Sequence, residues 1–110
     1  MDQVKKYVAT QIRLVDRFFD LVLSGKKTST IRYGLVFFTN DQILLRSNKQ
    51  SLPIRLLKVD YSKAFGDLNE EDACRDGFST LDELKTELRH FYGDVPANYP
   101  MTVISFKMEK

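Results

Sequence analysis

"FFDLVLSGKKTSTIR", residues 18–32, decides how this chain is read. Its first half is helical. Val15, Phe18, Phe19 and Val22 recur at i, i+3, i+4 and i+7, the spacing of one helix face. Gly25 stands where a left-handed C-terminal cap is wanted, which predicts a helix over about residues 14–24. The second half, "KTSTIR", is rich in β-branched residues and predicts a strand. On an extended chain Thr28, Thr30 and Arg32 point one way, and Lys27, Ser29 and Ile31 the other. For Lys27 and Thr30 to meet, the chain must be irregular between Gly25 and Thr28.

Outward from that junction, residues 4–13 read as a first strand. "GLVFF" (34–38), "DQILLR" (41–46) and "PIRLLKVDYS" (53–62) read as further strands, with Asn40-Asp41 and Ser47-Asn48 supplying turn chemistry. The period then changes. "DLNEEDACRDG" predicts a short helix capped by Asp67 or Asn69 and ended by Gly77. "STLDELKTELRHFYG" opens with a capping-box pattern, Ser79 with Asp82 or Thr80 with Glu83. Its apolar stripe is Leu81, Leu84, Leu88 and Phe91. "MTVISFKM" alternates as a last strand. Helices grouped at two points among strands with hairpin-length connections argue an α+β fold with a mainly antiparallel sheet. At this size the sheet is expected to curl into a small barrel that helices plug or flank.

The 110 residues are expected to form one domain, 1–110, around a modest core. One cysteine and one histidine argue against a disulfide and against a Cys- or His-based metal site, so no metal or cofactor is expected. Cys74 is expected to be a small core residue. His90, in the last turn of a helix, suits the helix dipole better than a site. No apolar run is long enough to span a bilayer, and "MDQVKKYVATQ" lacks a signal-peptide core. A cytoplasmic location and no membrane partner are the expectation. Net charge is only +2, but its distribution is uneven: residues 67–87 carry eight acids against Arg75 and Lys85, while residues 1–32 carry seven basic groups against three acids. The asymmetry fits either one face attractive to a polyanion or two solvated surfaces of opposite sign.

"FFDLVLSGKKTSTIR" resembles the signature of the activating-signal-cointegrator homology (ASCH) domains, an apolar helix followed by Gly, Lys, Thr and a strand ending in Arg. "FGDLNEEDACRDGFSTLDELKTELRHFYG" is similar to the family's second signature, and "TVISFKM" to its final strand. The resemblance implies a PUA-like small β-barrel with helices at its openings and a cleft suited to RNA or a nucleobase. Within the family, the small bacterial N(4)-acetylcytidine amidohydrolases come closest. They act without a metal, and their motif also reads Lys-Thr-x-Thr-Ile-Arg. By motif position their catalytic lysine falls on Lys27 and their nucleophilic threonine on Thr30. Their glutamate falls near Asp76 in "RDGF", with a one-residue gap. Glu71 and Asp72 stand nearby as alternative carboxylates.

A threonine hydroxyl needs a neighbour to take its proton, and a lysine serves if burial or nearby cations hold its pKa down. Lys26, Ser29 and Arg32 are assigned to ligand binding, with Arg32 or backbone N–H groups as oxyanion donors. An ion pair from Arg32 to an acid in the 67–76 turn is compatible with that. Tyr92 and Tyr99 are candidate stacking residues. The expected partner is RNA or a modified nucleoside. A non-catalytic RNA-binding module and a ribonuclease-like ASCH domain are the alternative readings.

Overall fold

The computed structural model describes residues 5–109, so Val4 at the start of the expected first strand lies outside it. The strands are β1 (Lys6–Ala9), β2 (Gln11–Arg13), β3 (Ser29–Tyr33), β4 (Leu35–Phe38), β5 (Gln42–Arg46), β6 (Ser51–Asp60) and β7 (Met101–Met108). The helices are α1 (Asp16–Leu23), α2 (Glu70–Arg75) and α3 (Leu81–Tyr92), with a 3-10 turn at Phe65–Asp67. The fold is α+β, as the element pattern predicts. Asn69 caps α2 by accepting from the Asp72 amide, and Thr80 caps α3 by accepting from that of Glu83.

Five strands form one curled sheet in the order β2-β5-β6-β7-β3, and β1 pairs with β4 in a second. The chain joins the two sheets at both edges. Ala9 passes through Thr10 into β2, and Tyr33 passes through Gly34 into β4, so the strands close a ring. The expected first strand is therefore two strands broken at Thr10. The three ladders among β3, β5, β6 and β7 are antiparallel, whereas β1·β4 and β2·β5 are parallel. Thr102 pins one corner: its Oγ1 donates to Gly34 O at 2.7 Å and accepts from Val36 N at 3.0 Å.

Alternation along the strands divides the apolar residues between two clusters. Ile12, Ile43, Leu45, Ile54, Ile104 and Phe106 fill the barrel, and α1 plugs one opening with Phe19 and Val22. Burying each of those two side chains contributes about 1.5–3 kcal/mol. Ile31, Tyr33, Met101 and Val103 face the other way and meet Ala73 of α2 and Leu84 and Leu88 of α3. The sheet thus carries a core on each side at β3 and β7.

Cys74 departs from expectation, for it is exposed. α2 buries Asp72 and Ala73 instead. Asp72 accepts from the Asn69 amide and from Lys63 Nζ, which fixes the inward face of this short helix and turns Cys74 outward. His90 is exposed at the end of α3. Among the described residues no helix is long and apolar enough to cross a membrane.

Candidate active site

α1 ends in a turn that carries Lys27 out of the strand's alternation. Gly25 takes φ +81°, and the amides of both Lys26 and Lys27 donate to Leu21 O at 3.0 and 3.1 Å. Thr28 N then donates to Arg75 O, tying the strand entry to the end of α2, and β3 starts only at Ser29. Lys27 therefore belongs to the helix-ending turn. Its side chain reaches a cavity that Thr30 also lines, although a regular strand would separate them.

That cavity, of about 100 Å³, opens beside β3, which is an edge strand of the large sheet. Arg13 to Val15 and Phe18 of α1 line it. Thr30 to Arg32 form its floor, Asp76 and Phe78 follow α2, and α3 contributes Leu84, Glu87, Leu88 and Phe91. Phe18 packs edge-on against Phe78 and Phe91, with ring centroids 5.7 and 6.3 Å apart. The wall is thus largely apolar and aromatic, with a few polar groups set into it.

Those polar groups are paired. Lys27 and Asp76, 3% and 4% exposed, form a buried ion pair in which Nζ donates to Asp76 Oδ1 and also to the Asp76 carbonyl at 3.2 Å. Asp76 is held there as the C-cap of α2, immediately before Gly77 turns the chain at φ +90°. Lys27 Nζ also lies 5.6 Å from the Phe18 ring centroid. Burial drives the Lys27 pKa well below its ordinary value of 10.5, and the Arg32 charge lowers it further.

Arg32 makes no ion pair with the 67–76 turn. Its Nη1 donates to Thr30 Oγ1 at 2.7 Å and to Ile31 O at 3.1 Å, and its Nη2 to Arg13 O at 2.9 Å. The acids it was expected to meet are engaged elsewhere: Asp76 with Lys27, Asp72 with Lys63 and Glu71 with Arg75. Neither Glu71 nor Asp72 lines the cavity. Lys26 is exposed and Ser29 is buried, and both lie outside the cavity lining. Lys27, Thr30, Arg32 and Asp76 are brought together; Lys26 and Ser29 are not.

The open edge of β3 adds a backbone group. Gly34 N donates to Pro100 O, and Thr28 O accepts from Phe106 N, so the even-numbered residues of this segment bond to β7. In an antiparallel ladder the intervening residues then turn their N–H and C=O away from the partner strand. Ile31 O takes Arg32 Nη1, while Ile31 N–H has no partner among the described residues. Glu87 is a second carboxylate on the wall, held by Arg17 at 3.0 Å. Its signal in the sequence is its place three residues after Leu84, on the flank of the apolar stripe.

A solved ASCH domain from Lactobacillus crispatus superposes on 88% of this chain and 79% of its own, with a TM-score of 0.70 at 15% identity. The fold is that of an ASCH domain. It is PUA-like, a curled, mainly antiparallel barrel with helices against it. Similar too are protein EF3133 from Enterococcus faecalis, of the family model DUF984, and a hypothetical protein, PH0355. The first has a TM-score of 0.60 and 22% identity over 84% of this chain and 69% of that one. The second has a TM-score of 0.67 and 14% identity over 96% and 100%. No family model and no curated protein matches the chain by sequence. In this ASCH fold the cavity sits where α1, α3 and the edge strand β3 meet.

Proposed function

We propose that the cavity takes the acylated edge of a nucleobase and that the protein hydrolyses the amide of N(4)-acetylcytidine. The observation that carries this reading is Lys27: a buried amine of depressed pKa, fixed by Asp76, in one cavity with the Thr30 hydroxyl. A titratable group strongly perturbed by burial, beside a specific charge partner in an apolar cleft, is a candidate reactive site.

The geometry supports the following roles. Arg32 donates to Thr30 Oγ1, which stabilises negative charge on that oxygen and leaves its own proton free for a base. Thr30 Oγ1 attacks the acetyl carbonyl carbon, and the neutral Lys27 amine takes the hydroxyl proton. The C=O electron pair moves onto oxygen, for which the unpaired Ile31 N–H is the donor. The C–N bond then breaks. Cytidine leaves with its N4 taking the proton from Lys27, and Asp76 holds the lysine in position through both transfers. Water attacks the acetyl-threonine ester, again with Lys27 as base. Acetate departs and Thr30 recovers its proton. In the resting arrangement Lys27 bonds Asp76 rather than Thr30, so the first transfer requires Nζ to swing within the cavity. Such catalytic hydrogen bonds commonly tighten only when substrate is bound.

The test is incubation of purified protein with N(4)-acetylcytidine, following cytidine and acetate by chromatography. Turnover by the wild type, lost in folded Lys27→Ala and Thr30→Ala, is expected. A folded wild type that releases no acetate rejects the amidase reading.

A further inference from the structure

Seven arginines occur in the chain, and they fall into two groups. Arg17, Arg55, Arg75 and Arg89 each have a carboxylate within 4.0 Å: Glu87, Glu109, Glu71 and Asp94. Arg13, Arg32 and Arg46 have none among the described residues. Arg13 adjoins both of the others. Arg13 and Arg46 are register partners on β2 and β5, about 4.8 Å apart in strand spacing. Arg32 Nη2 donates to the Arg13 carbonyl.

Arg13 and Arg32 line a second cavity, of about 240 Å³, that shares both of them and Tyr92 with the first. Its other walls include Tyr7 and Gln11, and no acidic residue lines it. Arg46 is linked to this lining through Gln11, to whose Oε1 its Nη1 donates at 3.3 Å. Three of the five N–H groups of Arg32 are taken by Thr30, Ile31 and Arg13. The other two have no partner among the described residues. Arg13 Nη2 donates to the neutral Asn48 Oδ1 at 3.3 Å, so none of the three guanidinium groups meets a counter-charge among the described residues, and an anion bound among them would relieve their mutual repulsion.

We infer that Arg13, Arg32 and Arg46 form a phosphate site next to the Lys27–Thr30 cavity, so that a phosphorylated nucleotide binds more tightly than the free nucleoside. The inference rests on the nucleobase reading of the first cavity for its ligand class, but the arginine cluster stands independently. The first cavity, at about 100 Å³, is well below the roughly 300–1,000 Å³ of sites that enclose a whole small molecule. It admits the reacting edge of a base and leaves sugar and phosphate outside, beside the second cavity. Planar guanidinium forks match the paired oxygens of a phosphate. Tyr7 and Tyr92, both about two-fifths exposed, flank the arginines with aromatic faces. The same phosphate chemistry is offered by a mononucleotide and by a phosphodiester within a strand.

The experiment titrates inorganic phosphate, cytidine, cytidine 5′-monophosphate and an oligocytidine of about eight nucleotides into 15N-labelled protein. Arginine side-chain N–H signals report the second cavity, and the Thr30 and Ile31 amides report the first. Phosphate is expected to shift Arg13, Arg32 and Arg46 but not the four paired arginines. The monophosphate is expected to bind on the order of tenfold or more tighter than cytidine, an advantage that shrinks as salt rises. Exposed Arg13→Gln and Arg46→Gln together should bring that ratio towards one. A further gain for the oligonucleotide assigns the site to a strand, and none assigns it to a terminal phosphate. Equal affinities for cytidine and its monophosphate, with arginine signals unmoved by phosphate, overturn the inference. If cytidine leaves the Thr30 and Ile31 amides unmoved while phosphate shifts the arginines, the nucleobase reading fails and the phosphate site stands.

Discussion

Lys27 and Asp76 are joined by an ion pair that is almost wholly withdrawn from solvent, across 49 positions of sequence. Taking two charges out of water is costly, and the pair is tolerated because each group satisfies the other. At a pH where Lys27 is protonated in the folded protein, Asp76→Leu alone should destabilise the fold by about 3–5 kcal/mol, because it leaves a buried ammonium without a counter-charge. Lys27→Met combined with Asp76→Leu should recover most of that loss while remaining inactive. Urea denaturation of the two single variants and the double variant checks this. Additive losses would mean that the pair does not interact energetically.

The same residue makes stability depend on pH. Burial, and then the Arg32 charge, lower the folded-state pKa of Lys27 below its ordinary 10.5. Over the interval between the two values the unfolded chain holds a proton that the folded chain has released. Stability attributable to Lys27 therefore rises with pH through that interval and is lost below it. The rate of acetyl release should rise over the lower part of the same range, as the amine is freed, and reach its plateau before pH 10.5. Melting curves and rates measured across pH, with Lys27→Ala removing the stability slope, test both. A rate inflection at the ordinary lysine value would contradict the buried-base role.

Cys74 separates what the sequence shows from what only the fold shows. Periodicity located α1 and α3 because Phe19, Val22, Leu84 and Leu88 repeat on one face. α2 has only six residues, too few for a period to tell its inner face, and Asp72 rather than an apolar residue sets that face. The Lys27–Thr30 pair was legible as a motif, but its geometry depends on a non-strand turn after Gly25. The arginines of the proposed phosphate site come from β2, β3 and β5, and no local pattern brings them together. An exposed Cys74 should react with a thiol reagent in the native protein at a rate near that of the unfolded chain. Cys74→Ser should alter stability by no more than about 0.5 kcal/mol. Protection from the reagent would show that the side chain turns inward.

Gly34 holds the ring of strands together at the passage from β3 into β4. It takes φ +81°, a conformation that costs an L-residue about 1–2 kcal/mol. A Cβ there would also lie 2.5 Å from the Lys5 carbonyl, which accepts from the Leu35 amide. Gly34→Ala should therefore cost more than the dihedral strain alone. Gly25→Ala, at the same φ but with nothing within 4 Å of its Cβ, isolates the strain component. Equal losses in chemical denaturation would show that the β1–β4 corner yields freely.

In the proposed mechanism Thr30 is the nucleophile and Arg32 its positioning group. Removing the hydroxyl in Thr30→Ala should abolish acetyl release, while Thr30→Ser should retain part of it because the attacking oxygen remains. Arg32 spans Thr30, Ile31 and Arg13 through a planar fork that lysine cannot reproduce. Arg32→Lys keeps the charge near Lys27 but loses the orientation of Thr30, so kcat should fall by about a hundredfold, the scale of a displacement near 1 Å. Because the positive charge is retained, the pH at which the rate rises should stay close to that of the wild type. Arg32→Gln should lose the same alignment and also move that rise to higher pH, since the neighbouring charge that depresses Lys27 is gone. A profile unchanged in Arg32→Gln would remove Arg32 from the control of the base and leave it as a support for Thr30 alone.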